Sequence, residues 1–259
     1  MKPRPDDIFV CTYPKSGTTW IQHIVHEPMA MCDLSPMIEA SGAQFANALE
    51  SPRILKSHLT YADVPKGAGA KYIYACRNPK DCLTSYYHHQ RALKHYEFEH
   101  GNFDVFFDIF MDGRISFGDY FDHLISWLDG IEKGEEKIML LRYEDMLAAL
   151  PSTVVQIANF LEGSAEELVR DEQQLAKIVE SSSLASMKMN QQRWFPDTYF
   201  QLNHRDEFIR KGGSRNWKSL FSIEQSQLLD ERFRQRLEAT AAAGWWQKEM
   251  AWDVRKKES

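Results

Sequence analysis

The stretch IFVCTYPKSGTTW, residues 8–20, carries the features that decide the fold. Its first five residues, Ile8–Thr12, form a short apolar run typical of a buried parallel strand. A loop with a proline, a lysine and one glycine follows, and from Thr18 to Met31 the pattern predicts a helix. A strand, a polar loop and a helix in this order predict an anion-binding loop at the end of the strand.

The loop between strand and helix carries the groups that an anion requires. Backbone N–H groups at a helix start have no intrahelical partners, and the helix dipole favours negative charge there. Gly17 permits close approach of the backbone, Lys15 supplies a positive charge, and three hydroxyls can donate hydrogen bonds. A plain helix cap by Ser16 or Thr18 is the simpler alternative. The spacing is not the G-x-x-x-x-G-K-[ST] of nucleotide hydrolases, and we favour anion binding over capping alone.

Strand-like and helical segments alternate along the rest of the chain. Further strands are predicted at Arg53–Ser57, Lys71–Arg77 and Lys137–Tyr143, and helices at Pro79–His95, Phe117–Gly130, Ser164–Val179 and Glu224–Ala241. This order predicts an α/β fold with a mostly parallel central sheet flanked by helices, and a P-loop-like loop after the first strand. No internal repeat or linker interrupts the pattern, so we expect a single domain over residues 1–259.

The composition limits the possible partners. The chain has 259 residues, of which 43% are hydrophobic and 26% charged, and its formal net charge is -6. A negative net charge argues against nucleic acid as a partner, so an anion site must be a local group of basic residues. No apolar run is long enough to span a membrane, and the charged start of the chain lacks a signal-peptide pattern. We therefore expect a cytoplasmic protein without membrane association.

The four cysteines indicate neither a metal site nor a disulfide framework. Their spacing fits no zinc motif, and their number is too low for a disulfide scaffold. Cys11 and Cys76 fall within predicted strands, where a buried free thiol is the simplest interpretation. Since the sequence also contains no obvious carboxylate cluster, we expect no bound metal.

Basic and polar residues recur where the predicted strands end. Lys56 and His58 follow the second strand, Arg77 ends the third and Tyr143 the fourth. The carboxyl ends of parallel strands meet at one edge of the sheet, so these side chains should lie near the first loop. A lysine can neutralise anionic oxygens, and a histidine can accept a proton near neutral pH. A lone histidine is more often structural, and His123, in a predicted helix, fits a surface position.

These stretches resemble the cytosolic sulfotransferases. YPKSGTTW resembles the family's 5′-phosphosulfate loop, LKSHL its Lys-Thr-His-Leu segment, and RNPKD followed by SYYH its 3′-phosphate site. RKGGSRNWK resembles its Arg-Lys-Gly-x-x-Gly-Asp-Trp-Lys segment. The matches occur in order from Ile8 to about Lys218. The resemblance implies the sulfuryl donor 3′-phosphoadenosine 5′-phosphosulfate, its product 3′-phosphoadenosine 5′-phosphate, and a small-molecule acceptor with a hydroxyl or amine, such as a phenol, an alcohol or a biogenic amine.

The resemblance also implies a role for each matching residue. His58 corresponds to the catalytic base, and Lys15 and Lys56 to the lysines that stabilise the transferring group. The donor would be held at its 5′-phosphate and adenine side by Lys15, Ser16, Gly17, Thr18, Thr19 and Trp20; at its 3′-phosphate by Arg77, Ser85, Arg210, Lys211 and Gly212; and around the adenine by Tyr143, Ser182, Met187 and Phe208. The acceptor would contact Lys56, His58, His89 and Phe117.

Some segments depart from the family pattern on the acceptor side. The stretch between Trp20 and Lys56 is short, and His89 stands where the family often has an aromatic or apolar residue, which favours a more polar acceptor. The family's dimer motif is altered at Ser222, Ile223 and Gln227, so we expect a monomer or a weak homodimer. A catalytically silent nucleotide-binding protein on the same fold is the alternative function, and a P-loop kinase is disfavoured by the loop spacing.

Overall fold

The central sheet has the predicted parallel arrangement. The computed structural model describes residues 1–29, 35–190 and 212–252. Within these residues the sheet has four strands, Ile8–Thr12 (β1), Ile54–Ser57 (β2), Lys71–Cys76 (β3) and Lys137–Arg142 (β4). Their order is β2-β1-β3-β4, and every neighbouring pair is parallel. The predicted α/β fold with a parallel sheet is therefore confirmed.

The strand register brings the four carboxyl ends to one edge. Cys11 of β1 lies opposite Ser57 of β2, and Thr12 lies opposite Ala75 of β3. Cys76, the last residue of β3, lies opposite Arg142 of β4. The loops that follow all four strands therefore begin side by side, and ligands of open α/β sheets bind at such an edge.

Helices fill the connections between the strands. Within the described residues they are Thr18–Met29 (α1), Ile38–Ala48 (α2), Pro79–Ala92 (α3), Phe103–Met111 (α4), Tyr120–Lys133 (α5), Tyr143–Ala148 (α6), Leu150–Leu161 (α7), Ser164–Val169 (α8), Glu172–Ser181 (α9), Leu184–Met189 (α10), Ile223–Leu237 (α11) and Gln247–Met250 (α12). Two 3₁₀ turns, Lys94–Tyr96 and Asn216–Ser219, complete the set.

Alternation along β1 explains why helices pack on both faces of the sheet. Phe9 and Cys11 point into one core, which also contains buried residues of α3, α4, α5 and α11. Ile8 and Val10 point into the other, which contains buried residues of α1, α7, α8 and α9. Both faces of a strand must be apolar when helices cover both sides, which is why this strand reads as a continuous apolar run. Cys11, Cys76 and Cys82 are buried free thiols.

Three helices differ in extent from the prediction because of local backbone signals, and a fourth, predicted over Glu224–Ala241, spans Ile223–Leu237. The helix predicted over Pro79–His95 ends at Ala92, since Leu93 is extended with φ -103° and ψ 120°. The helix predicted from Phe117 begins at Tyr120, because Phe117 has a φ of 70° and Asp119 caps the first turn. The helix predicted over Ser164–Val179 is divided into α8 and α9, and the carboxylate of Asp171 caps the second part.

Smaller differences occur at the strand ends. Arg77 was predicted as the last residue of the third strand, but β3 ends at Cys76. Tyr143, predicted as the last residue of the fourth strand, is the first residue of α6. Arg53, predicted as a strand residue, precedes β2 and forms a fully buried ion pair with Asp7. Its Nη1 also donates to the carbonyl of Ala46 at 2.8 Å, which ties the end of α2 to the start of β2. None of the described helices is long and apolar enough to cross a bilayer.

Candidate active site

A cavity of about 450 Å³ opens at the carboxyl edge of the sheet. Most of the predicted site residues line it: Lys15, Gly17, Thr18, Thr19, Trp20, Lys56, His58, Arg77, Ser85, His89, Phe117, Tyr143, Ser182, Met187 and Gly212. Phe208, Arg210 and Lys211 lie outside the described residues. Ligand pockets commonly have volumes of roughly 300–1,000 Å³, so the cavity is large enough for a small-molecule site.

The loop after β1 has the backbone of an anion nest. Lys15 has a φ of 71° and Gly17 a φ of 100°, so the chain turns twice through the left-handed region before α1 begins. A Cβ at position 17 would lie 2.9 Å from Cδ2 of Tyr143, so only glycine fits. Turns of this kind and a helix start both present backbone N–H groups to an anion. The first α1 bond follows at once, from Ile21 N to the carbonyl of Gly17 at 3.0 Å.

Buried groups beneath the loop hold it in place. The hydroxyls of Thr12 and Thr18 share a hydrogen bond of 2.6 Å, which joins the end of β1 to the start of α1. Ser16 is fully buried, and its Oγ lies 3.8 Å from Sγ of Cys82. The Cys82 thiol in turn donates to the carbonyl of Pro14 at 3.2 Å. The Ser16 side chain therefore faces the protein interior, whereas its loop neighbours line the cavity.

Arg77 connects two loops that are far apart in sequence. Its Nη1 donates to the carbonyl of Lys15 at 3.1 Å, and its Nη2 to the carbonyl of Gly213 at 2.8 Å. The guanidinium lies over the Tyr143 ring, 4.2 Å from its centroid. Among the described residues no group accepts from its buried Nε. Arg77 thus places a positive charge at the cavity wall and orients both loops around it.

Asp81 organises the segment that follows residue 211. One of its oxygens accepts from Arg215 N at 2.6 Å, and the other accepts from Trp217 N at 3.1 Å. Asn78 Nδ2 donates to the same carboxylate at 2.8 Å. Asp81 is buried, so this carboxylate fixes the path of residues 212–217 beside the cavity. We did not identify Asp81 from the sequence, because the backbone groups that it binds are more than 130 positions away.

Trp20 and Tyr143 form an aromatic corner of the cavity. Their ring centroids lie 5.5 Å apart, and Trp20 Nε1 donates to the carbonyl of Ser182 at 2.8 Å. The Ser182 hydroxyl is buried and has no partner in the part of the chain that is described. Met187 is buried and lines the same cavity. A flat apolar group with polar edges would fit such a corner.

His58 is fixed in one orientation and one charge state. Its Nδ1 lies 2.8 Å from the carbonyl of Thr12, so Nδ1 carries the hydrogen and Nε2 is the nitrogen with a lone pair. Burial lowers the pKa of His58 to about 3, and the charges of Lys56 and Lys15 act in the same direction. Phe117 packs against the ring, with centroids 5.1 Å apart. The imidazole is therefore neutral at physiological pH and able to accept a proton.

Glu39 supports the residues around His58 from α2. Its Oε1 accepts from Ser57 Oγ at 2.8 Å and from His58 N at 2.5 Å. Burial lowers the pKa of Lys56, and the charge of Glu39 offsets part of this effect. The sequence analysis missed Glu39, because α2 was not predicted.

His123 supports the site from within the core, and its predicted surface position was wrong. It is fully buried on α5, with Nδ1 3.3 Å from the hydroxyl of Tyr74. Burial lowers its pKa to about 4, partly offset by hydrogen bonding to the backbone of His58 and Leu59. The imidazole therefore packs against the strand end that carries His58.

The last predicted acceptor residue, His89, lies on α3 at the cavity wall. Its ring centroid is 6.2 Å from that of Tyr86. Burial lowers the pKa of His89 well below its usual value, and the charge of Lys15 adds to the effect. Within the described ranges no group of three or more His, Cys, Asp or Glu side chains could hold a metal ion.

The parallel sheet carries an anion nest at its carboxyl edge, with a neutral histidine and lysines beside it. This combination is typical of the class of α/β proteins that bind a phosphorylated ligand. The sequence comparisons specify the family. The family described as "Sulfotransferase domain" matches residues 5–241. The chain belongs to this family, whose members are enzymes that transfer sulfuryl groups.

Individual relatives agree with this assignment. Human sulfotransferase 1C2 is 34% identical over 260 residues, covering 92% of this chain and 85% of the relative. Cytosolic sulfotransferase 1 of Danio rerio is 30% identical, covering 90% of this chain and 83% of the relative. Among solved structures, mouse sulfotransferase SULT7A1 complexed with PAP matches with a TM-score of 0.78 and 26% identity, covering 94% of this chain and 88% of that one.

Proposed function

We propose that this sulfotransferase moves a sulfuryl group from 3′-phosphoadenosine 5′-phosphosulfate to a hydroxyl or amine of a small acceptor, a phenol, an alcohol or a biogenic amine, with His58 as the general base. One observation carries the proposal: a single cavity is lined by the Lys15–Gly17 nest, by Lys56 and by an oriented, neutral His58. A silent nucleotide-binding protein would need the nest but not a base held in this tautomer.

The donor fits polar groups that the protein leaves unsatisfied. The buried Arg77 Nε and Ser182 Oγ lack partners among the described residues, and both residues line the cavity. Buried polar atoms without partners are rare in folded proteins, and a bound ligand is one explanation for them. The solved mouse relative, at 26% identity, is complexed with PAP. We assign the 5′-phosphate to the loop of residues 15–20 and the 3′-phosphate to Arg77 and Ser85, together with the predicted Arg210, Lys211 and Gly212.

The chemistry requires orientation and charge compensation more than covalent help from the protein. The donor supplies the sulfuryl group and a phosphate leaving group. His58 Nε2 takes the proton of the acceptor hydroxyl while the acceptor oxygen forms a bond to sulfur and the bond from sulfur to the phosphate oxygen breaks. Lys15 and Lys56 compensate the negative charge that grows on the leaving oxygen. The products are the sulfated acceptor and 3′-phosphoadenosine 5′-phosphate.

The low pKa of His58 suits the resting site. A pKa of about 3 keeps the base unprotonated in the ligand-free protein. Negative charge brought by the donor favours the imidazolium that forms during the reaction, since an opposite charge raises the pKa of a histidine. His58 is therefore a poor base in the empty site and a better one when the donor is bound.

The remaining assignments concern assembly and location. We propose that residues 1–259 form one sulfotransferase domain, which acts as a monomer or weak homodimer. Ser222, in the altered dimer motif, caps α11 in a reciprocal pair with Gln225, so this segment is used within the chain. We also propose a cytoplasmic location, supported by the similarity to a cytosolic relative.

Two measurements on one preparation test the proposed function. We expect 3′-phosphoadenosine 5′-phosphate to raise the thermal midpoint, because a ligand that binds only the native state stabilises it by mass action. Adenosine 5′-monophosphate, which lacks the 3′-phosphate, is the matched control and should raise it less. A transfer assay with phenols, alcohols and amines then follows. Strong stabilisation without transfer to any acceptor would favour the silent binding protein, and no stabilisation by the bisphosphate would contradict both functions.

A further inference from the structure

The described part of the chain ends with a segment, residues 246–252, that packs behind the proposed donor site. We call it the C-terminal strap. It contains α12 and the rings of Trp246 and Trp252, and Trp246 and Met250 are buried. The described lining of the cavity includes no residue of the strap. The strap therefore acts on the site only through the elements that it holds.

Trp246 ties the strap to α6 and to the start of α3. Its Nε1 donates to Oε2 of Glu144 at 2.7 Å. The other oxygen of this carboxylate accepts from the backbone N and from Nδ2 of Asn78, at 3.1 and 2.9 Å. Asn78 follows Arg77 in the chain, and Glu144 follows Tyr143. Since Arg77 and Tyr143 both line the cavity, this chain of bonds reaches the residues directly behind two cavity side chains.

Lys80 holds the other end of the strap from within the protein. Its side chain is fully buried on α3, and its Nζ donates to the carbonyl of Met250 at 2.8 Å and to Oγ of Ser226 at 2.6 Å. Asp230 balances the charge in an ion pair of 2.7 Å. A buried lysine is costly unless its charge and its N–H groups are paired. The carbonyl of Met250 is thus one of the groups that satisfy it, and the strap is fixed against α3.

The segment of residues 212–217 lies between Asp81 and the strap. The backbone N of Trp217 donates to Asp81 at 3.1 Å, and the Nε1 of the same residue donates to the carbonyl of Glu249 at 2.9 Å. Gly212, at the start of the segment, lines the cavity. The path of the backbone beside the cavity therefore depends on the strap as well as on Asp81.

Arg215 adds a contact that is particular to this chain. Its φ is 66°, in the left-handed region that favours glycine. The sulfotransferase segment that RKGGSRNWK resembles has glycine at this place. Here the Nη2 of Arg215 donates to the carbonyl of Ala251 at 3.1 Å. A strained backbone conformation is thus found together with a side-chain contact to the strap that glycine could not make.

We propose that Trp246 is a positioning residue of the donor site, and that docking of the C-terminal strap is coupled to binding of the nucleotide. This inference rests on the nucleotide site of the proposed function. The strap fixes the start of α3 and residues 212–217, the described parts that would hold the 3′-phosphate. If the strap loosens, ordering these parts on binding costs free energy. Because such coupling is reciprocal, the nucleotide should in turn hold the strap in place.

The substitution Trp246→Phe breaks the tie with a small change. Phenylalanine keeps a ring that packs on Phe233, 6.0 Å away between centroids, but removes the N–H that binds Glu144. We expect the Kd of 3′-phosphoadenosine 5′-phosphate, measured by calorimetry, to rise roughly three- to ten-fold. The kcat at saturating donor should change little, because the strap touches no reacting group. Trp245→Phe is the matched control and should leave the Kd unchanged, since the half-buried Trp245 ring packs on the guanidinium of Arg142.

A double-mutant cycle assigns the effect to the bond with Glu144. In Glu144→Gln the amide offers one acceptor oxygen, so it cannot accept from Trp246 and Asn78 at the same time. Whichever bond is lost, the tie from the strap to α3 is broken. Adding Trp246→Phe to this background should therefore leave the Kd almost unchanged. Fully additive effects of the two substitutions would contradict the proposed tie.

Hydrogen exchange in the unaltered protein measures the reciprocal effect, whether or not the variants fold. The amide of Met250 donates to the carbonyl of Trp246 at 2.9 Å, so its exchange reports opening of the strap. We expect saturating 3′-phosphoadenosine 5′-phosphate to slow this exchange. Amides near Lys133, at the end of α5, are the reference, because no residue of α5 is in the described cavity lining; their exchange should slow less.

The outcomes separate this inference from the proposed function. Equal nucleotide affinity of the wild type and Trp246→Phe, or an equal loss in Trp245→Phe, would overturn the role of Trp246 while the donor site stands. Exchange of the Met250 amide that does not respond to the nucleotide would overturn the coupling. Failure of the wild-type protein to bind 3′-phosphoadenosine 5′-phosphate would instead remove the proposed function, and this inference with it.

Discussion

The two halves of the cavity are built in different ways. On the side of the loop at residues 13–20, backbone atoms dominate. Arg77 donates to loop carbonyl groups, and Asp81 accepts from loop N–H groups. On the side of α3, side chains such as His89 and Tyr96 form the surface. A backbone site is preorganised by the sheet and tolerates few changes, whereas a side-chain wall changes character with a single substitution.

This difference separates the segments that resemble the family's motifs from a position that departs from them. The nest needs Gly17, since a Cβ there would clash with Tyr143. No comparable backbone constraint applies to His89, whose ring projects from a regular helix. We therefore expect changes in the first half to affect nucleotide binding and folding, and changes in the second to affect the choice of acceptor.

The largest expected effect concerns His58, at the boundary of the two halves. His58→Ala should lower kcat by roughly 10²–10⁴-fold, the usual contribution of a general base, because no positioned base then takes the proton from the hydroxyl of the substrate. Binding of 3′-phosphoadenosine 5′-phosphate, measured by calorimetry, should change little. His100→Ala, at an exposed histidine outside the cavity lining, is the control. Turnover near the wild-type value would show that His58 is not the base.

The next effect sharpens the description of the first half. Arg77→Ala should weaken 3′-phosphoadenosine 5′-phosphate by roughly ten- to a hundred-fold, because charge-assisted hydrogen bonds contribute about 1.5–3 kcal/mol each. Adenosine 5′-monophosphate should also bind less well, since Arg77 holds the carbonyl of Lys15, but its loss should be smaller. Titration calorimetry compares the two nucleotides, and equal losses would exclude Arg77 from the 3′-phosphate site.

A smaller effect is expected at Asp81, which touches backbone and not the reacting groups. Asp81→Asn replaces one acceptor oxygen by an amide donor that faces the N–H of Arg215 or Trp217, and should lower the free energy of unfolding by about 1–3 kcal/mol. The KM for the donor should rise while kcat at saturating donor changes little. Asp112→Asn, in an exposed pair with Arg114, serves as the control. A fall in kcat with unchanged KM would contradict this positioning role.

The last effect is a pH dependence of stability from the core behind His58, where no change in turnover is involved. The pKa of His123 is lowered from 6.5 to about 4 by burial, so between these values the unfolded chain binds a proton that the native protein does not. Stability therefore falls as pH falls from about 6.5 to about 4, by up to about 1.4 kcal/mol per pH unit for this residue. Denaturant unfolding of His123→Phe should show a shallower acid slope than the wild type, whereas the exposed His100→Phe should not. An unchanged slope in His123→Phe would contradict this account.

The sequence was sufficient to predict the sheet and most of the cavity lining. The apolar run Ile8–Thr12 has the extent found in the structure, and Lys56, His58, Arg77 and Tyr143 do meet at one edge. Both results follow from the same physical reason: residues after parallel strands converge once the strands are identified.

Tertiary support could not be predicted in the same way. Glu39 holds His58 N from a helix 19 positions upstream, and Asp81 binds backbone groups 134 and 136 positions downstream. Such partners leave no local pattern, because a carboxylate on a helix looks the same whether it faces water or a buried loop. The break after Ala92 was also missed, although it is what turns Tyr96 toward His89.

The central claim is that the sulfuryl group passes directly from the donor to an acceptor held beside His58. A single-turnover experiment tests it most directly. The enzyme is in excess over donor that is radiolabelled in its sulfuryl group, a phenol such as 4-(2-hydroxyethyl)phenol is the acceptor, and the reaction is quenched at intervals. We predict that the label appears on the phenol in step with 3′-phosphoadenosine 5′-phosphate, with none attached to the protein, and that the His58→Ala variant shows the same products formed much more slowly. Label on the protein, or label released as inorganic sulfate with the phenol unchanged, would contradict the account.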